Sequence, residues 1–284
     1  MIHDLPLGST RLHGAFSRDL PPVLTVDPGD SVRFSLPNSA WRLGPDEELE
    51  RPDPGVDTGH ALLGPIEVRG ARAGQTLAVR VDEVTPGGWG ETFDGAGSRV
   101  HWELRDGLGH TGGRTVRLAP FLGVLGMPPA EPGIHSTRPP RPTGGNVDCK
   151  ELVAGTTLYL PIAVDGALFS AGDGHAVQGD GEVNLMALET AMSGTFELIL
   201  HKGKSLTFPR AITATHYIAM GTDPDLDDAA KQALREMIKW LVELKGWAPE
   251  DAYTFCSLAC DLRVTQLVDG FKGIHAMVAR ELID

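Results

Sequence analysis

Asp173-Gly174-His175 sets two side chains with metal-ligand chemistry two residues apart, and in an extended segment residues i and i+2 point to one face. The pair can therefore converge on a single ion. Glu182 comes seven residues after His175, inside Gln178-Gly179-Asp180-Gly181-Glu182, where the glycines let backbone and carboxylates crowd against a ligand. Farther off, Asp148 ends Gly144-Gly145-Asn146-Val147-Asp148, and His60 ends Asp57-Thr58-Gly59-His60. A zinc-like ion held by histidine and carboxylates brings the pKa of bound water to about 7 and polarises a carbonyl. A nearby free carboxylate, here Glu182, can take the water proton and pass it to a leaving amine. This inventory suffices to hydrolyse an unactivated amide. Gly-Asp-Gly is also a turn motif, so Asp180 reads equally as a residue capping its own backbone, and an isolated histidine such as His60 ordinarily lies at the surface or is hydrogen-bonded in the core.

Two other chemistries are open. Cys149-Lys150-Glu151 contains the residue types of thiol-dependent amidases, but successive strand positions point to opposite faces, so the three cannot all meet one substrate atom. Alternatively the Asp-rich GDGHAVQGDGE stretch holds calcium in a non-enzymatic β-sandwich binding module; calcium prefers six to eight oxygen ligands, and His175 and His60 weigh against it.

These residues need a scaffold. Val23–Val26, Ser31–Leu36, Ile66–Val68 and Leu77–Val84 are short β-branched runs bounded by Pro, Gly and Asp, the pattern of strands and turns. The acidic, Pro-containing segment 45–57 reads as a surface loop. Residues 128–145 (PPAEPGIHSTRPPRPTGG) read as a long irregular connection, because closely spaced prolines remove donors and fix φ; connections of that length are often functional, and this one leads into Asn146 and Asp148. Strand-like runs 156–164 and 167–170 then precede the Gly/Asp/His stretch. An apolar stripe at Ala230, Leu234, Met237, Ile238, Leu241 and Val242 predicts a helix over 226–245, capped by Asp225 and closed by Gly246. A second helix is expected from Pro249 to about Leu262. The reading is a mainly β protein: a jelly-roll or β-sandwich, barrel-like body over 1–195, with a smaller α+β part over 196–284.

Composition agrees with that class. The 35 Gly and 21 Pro among 284 residues suit many short strands joined by tight turns. A formal net charge of -13 argues against nucleic acid or an anionic membrane as partner, since both require clustered Lys and Arg; a small neutral or cationic molecule fits better. No run approaches the roughly 20 apolar residues of a membrane span, and the N-terminus has no basic start with an apolar stretch, so a soluble, cytoplasmic protein is expected. Three cysteines, Cys149, Cys256 and Cys260, are too few for a disulfide framework.

Several segments together resemble the acetamidase/formamidase family: His60 followed by Leu63-Gly64-Pro65-Ile66, then PFLGVLG at 120–126, GGNVD at 144–148, LPIAVDGALFSAGDGHAVQGDGEV at 160–183, and Met220-Gly221-Thr222-Asp223. The resemblance implies a metal-dependent hydrolase of short amides with a jelly-roll-like β fold. It implies a pocket of His60, Asn146, Asp148, Asp173, His175, Gln178 and Glu182. Divided by chemistry, His60, Asp148, Asp173 and His175 are the expected ligands of a divalent metal, zinc or alternatively calcium. Glu182, Asp180 and Gln178 are the expected catalytic groups, and Asn146 the substrate-binding one. A homo-oligomer, such as a dimer, is expected. The chain departs from the pattern at Asn184-Leu185-Met186, where small residues are expected.

Overall fold

The computed structural model describes residues 1–8 and 11–284. The short β-branched runs become strands of one long sheet. From edge to edge its nine strands are Ile2–Leu5, Asp30–Leu36, Met192–His201, Thr76–Pro86, Thr157–Pro161, Arg210–Ile212, His216–Asp223, Lys272–Ala279 and Cys260–Gln266. The strand Met192–His201 runs across position 195, so strands from both halves of the chain share this sheet. A six-stranded sheet faces it, built around Gly144–Asn146, Phe121–Gly126, Phe169–His175, Leu62–Val68 and Leu12–His13, with Leu24–Val26 alongside Leu62–Val68.

The two sheets are joined by one apolar core. Phe34, Val79, Leu158 and Phe196 of the first meet Leu63, Ile66, Leu122 and Phe169 of the second, all buried. Phe169 meets Phe196 edge to face, with ring centroids 5.2 Å apart. Removing one such ring typically costs about 3–5 kcal/mol, because the lost burial leaves a cavity. This is sheet-on-sheet packing. The barrel-like element of the expectation is corrected: among the described residues the sheets stay open, and the core is a sandwich.

Helix α1, Leu226–Lys245, has the predicted bounds and caps. The Asp225 carboxylate accepts the amide N–H groups of Asp227 and Asp228, and Gly246 closes the helix at φ 65°, a left-handed conformation that glycine adopts without a Cβ penalty. Its most buried face is Ala229, Ala233, Met237, Trp240 and Leu241, packed on Ala219, Ile274, Ala276 and Val278 of the long sheet. Helix α2, Pro249–Ala259, stops earlier than expected. Cys260 already begins a strand paired with Lys272–Ala279, because ladder hydrogen bonds to a segment downstream outweigh local helix preference.

Other local expectations also change. In the segment 45–57, Glu47–Glu48 pairs with the preceding Arg42–Gly44 as a small hairpin, and the segment ends on a buried Asp57. Within 128–145, His135–Ser136 pairs with Ala15–Phe16, which anchors the otherwise irregular connection. A four-stranded meander, Trp89–Phe93, Arg99–Arg105, Leu108–Thr111 and Arg114–Arg117, flanks the six-stranded sheet. No helix among the described residues is long and apolar enough to cross a membrane.

Candidate active site

The strand Phe169–His175 is buried along its whole length, between Phe121–Gly126 on one side and Leu62–Val68 on the other. Its Asp173 and His175 share a face, as their spacing requires. Gly123 of the adjacent strand faces them. A Cβ at Gly123 would lie 2.5 Å from Asp173 Oδ2, 2.7 Å from Asp148 Oδ1 and 2.8 Å from His175 Cε1, inside van der Waals contact with all three. Three side chains from distant parts of the chain thus converge where glycine leaves room. His175 is further held by Phe121, packed edge-on with centroids 4.9 Å apart.

Glu182 and Glu189 complete the group. Among the described residues, Asp148, His175 and Glu182 bring ligand atoms within 4.8 Å of one another, and so do Asp173, His175 and Glu189. All five are buried. Glu189 is absent from the sequence-based assignment. It sits outside the Gly-rich motif and reaches the site through isolated bridges to Glu91 and His175, pairings that no local pattern announces. Ser39 Oγ donates to its Oε2 at 2.8 Å.

The hydrogen bonds orient His175. Gln178 Nε2 donates to the carbonyls of Asp148 and Thr265, at 2.8 and 3.3 Å. Its Oε1 therefore faces His175 Nδ1, 3.0 Å away, and must accept from an Nδ1–H. The opposite nitrogen, Nε2, points at Asp173 Oδ1 (3.3 Å) and Glu189 Oε1 (3.2 Å). An imidazole whose outer nitrogen is fixed by an amide while the inner one faces carboxylates is the arrangement of a metal-ligating histidine and its supporting contact. Gln178 is thus a positioning group in this geometry.

The electrostatics are unbalanced. Burial, reinforced by the Glu182 charge, holds the Asp148 carboxyl well above the usual range. Burial pushes Glu182 up to about 8 and raises Glu189. Burial alone would lower His175, but the Glu189 and Asp173 carboxylates outweigh it and raise it well above its ordinary value. Asp173 moves down: burial opposes this, and the charges of His175 and His60 prevail. Carboxylates outnumber imidazoles here in a place water barely reaches, which calls for a cation or for protons. Asp148 states the same need: neither carboxylate oxygen has a hydrogen-bond partner among the described residues.

Backbone strain coincides with the group. Asp148, Asp173 and Glu182 all have positive φ, at 43°, 62° and 43°, in the left-handed region that costs a non-glycine residue of order 1–3 kcal/mol and clusters at functional sites.

The remaining expected residues take separate places. Asn146 is buried beside the group; its Nδ2 donates to Asp269 Oδ2 at 2.9 Å, and its Oδ1 has no partner among the described residues. His60 lies outside both tight sets. Its ring Nδ1 is 2.9 Å from Thr137 Oγ1, and it lines a neighbouring cavity together with Ser39 and Asp269. The structure does not bring Asp180 to the group. Its carboxylate is held by Arg263 and Lys150, at 2.6 and 3.0 Å. Cys149 is fully buried, and burial pushes its thiol up to about 12, so it does not supply the thiolate that cysteine nucleophiles use.

Residues 129–279 match the model of the Acetamidase/Formamidase family. The chain belongs to that family. It is 25% identical over 252 residues to an acetamidase of Mycolicibacterium smegmatis, covering 61% of each chain. Across the curated relatives it matches, the chain spans 61% to 65% of their length. Its fold superposes on a crystal structure of a Bacillus halodurans acetamidase with a TM-score of 0.87 at 27% identity, covering 98% of both chains. A Yersinia enterocolitica acetamidase gives 0.88 at 26% identity, covering 100% of this chain and 93% of that one. The fold of this family member is thus shared with these solved structures over nearly the entire chain.

Proposed function

We propose that the chain hydrolyses the carbon–nitrogen bond of short amides with the help of a divalent cation, zinc being one ion that takes both histidine and carboxylate ligands. The observation that carries this reading is the convergence of Asp148, Asp173 and His175 over Gly123, with both Asp148 oxygens unpartnered. Family membership and the names of the relatives support it. His175, Asp173, Glu189 and Asp148 are the residues that would hold the ion. When bound, such an ion polarises a carbonyl oxygen and makes water more acidic.

The chain's own groups supply the rest. Glu182, buried beside the group, can take a proton from water and return it to the departing nitrogen, and a cation among the neighbouring carboxylates would favour its ionised, proton-accepting form; an amide nitrogen does not leave as an anion. Water adds its oxygen to the carbonyl carbon, the C–N bond breaks, and the products are a carboxylic acid and ammonia. Asn146 offers its free Oδ1 to an N–H of the substrate, and its bond to Asp269 fixes the amide so that oxygen is presented. Gln178 keeps His175 in the tautomer that leaves Nε2 facing the carboxylates.

The test is metal analysis of the purified protein alongside ammonia release from formamide, acetamide, propionamide and urea. Bound zinc, with turnover lost on chelation and restored by metal, is the expected result. Calcium alone, with no ammonia from any amide, would instead support a binding module.

A further inference from the structure

Beside the buried group, one hydrogen bond removed from it, lies a cavity of about 260 Å³. At roughly 30 Å³ per water-sized volume it has room well beyond the four heavy atoms of acetamide. Ser39, His60 and Asp269 line it, and two of them connect it to the group: Ser39 bonds Glu189, and Asp269 bonds Asn146. Arg51 and Arg138 also line it, together with the apolar Leu185 and Met186.

Those two arginines are not used up by the fold. Among the described residues neither makes an ion pair within 4.0 Å, whereas nearby Arg42 and Arg99 both pair with buried Glu91. Arg51 is held in place by donating to the Asp57 carbonyl at 2.6 Å and by stacking over Trp41, 5.3 Å from the ring centre. Arg138 is exposed, in the irregular connection that leads to Asn146 and Asp148. In a chain of net charge -13, two unpaired guanidiniums on one cavity wall are a local reversal of sign. A guanidinium is shaped to hold a carboxylate through paired N–H bonds. The one carboxylate among the lining residues, Asp269, accepts from Asn146 and also feels the charge of Arg138, without forming a close ion pair with it.

We propose that the substrate is an amide whose far end carries a carboxylate: the amide enters the buried group, an aliphatic stretch lies on Leu185 and Met186, and the carboxylate is received by Arg51 and Arg138. This rests on the amide-hydrolase reading of the same site and names its substrate class. The experiment compares kcat/KM for succinamate with that for valeramide, a neutral amide of similar length. In the native chain succinamate is expected to win by at least about tenfold, with the advantage shrinking as salt screens the charges. Arg138→Gln should lower the succinamate-to-valeramide ratio, and Arg138→Glu should lower it further; because Arg138 is exposed, both variants should fold, which thermal melting checks. Equal use of the two amides by the native chain, or a ratio unmoved in Arg138→Glu, overturns the proposal and leaves the hydrolase reading standing. If no amide is turned over, the hydrolase reading fails, and calorimetry with succinate decides the cavity separately: binding that Arg138→Glu abolishes supports it, and no binding overturns it.

Discussion

Two clusters in this protein contain the same residue types and differ in what balances them. Around His175, buried carboxylates outnumber the imidazoles, and among the described residues no Arg or Lys pairs with them. Around His275, Glu151 and Asp180 bring ligand atoms just as close together, but Arg263 bridges the two acids at 3.0 and 2.6 Å and Lys150 adds a second bond to Asp180. The two histidines respond in opposite directions. His175 is raised, whereas His275 is lowered from 6.5 to about 4, mainly by burial. Spacing and residue type therefore do not mark a candidate metal site by themselves. Uncompensated buried charge does, because it is costly to leave alone.

The largest expected effect tests the unbalanced cluster. Glu182→Gln keeps the shape and removes the proton carrier, so turnover of a short amide should fall by about a hundredfold to ten-thousandfold with metal content near normal. Metal lost along with activity would make Glu182 a ligand; full activity would remove it from the chemistry.

The next effect belongs to the balanced cluster. His275 is buried and neutral, and its folded pKa lies below its unfolded value, so the unfolded chain binds the extra proton between the two. Stability is then complete above about 6.5 and is lost as pH falls towards about 4, by up to roughly 3 kcal/mol from this residue. Urea melts across that range should show a shallower acid limb in His275→Gln; identical slopes would contradict the neutral assignment.

Gln178→Ala should be intermediate. Loss of a group that orients a ligating histidine typically costs about 10- to 100-fold in metal affinity or activity, and a zinc titration would read it. An unchanged affinity would show that Phe121 packing alone fixes the ring. Smallest is Asp180→Asn, which breaks partly exposed ion pairs and should change stability by only about 0–1 kcal/mol with amide turnover little altered. A collapse of turnover in that variant would erase the distinction between the two clusters.

Local rules were enough for part of this protein. The two-residue spacing of Asp173 and His175 put both on one strand face, since side-chain direction alternates along any strand. The helix over 226–245 and its caps were equally legible, because capping involves only neighbouring residues. Tertiary structure decided the rest. Glu189 joins His175 through an isolated bridge, Gly123 makes room from an adjacent strand, and Asp180 is drawn away by Arg263, 83 residues later. Cys260 leaves the expected helix because a strand is available to pair with it. In each case the deciding term is a contact or a charge far along the chain, and its energy exists only once the sheets have assembled.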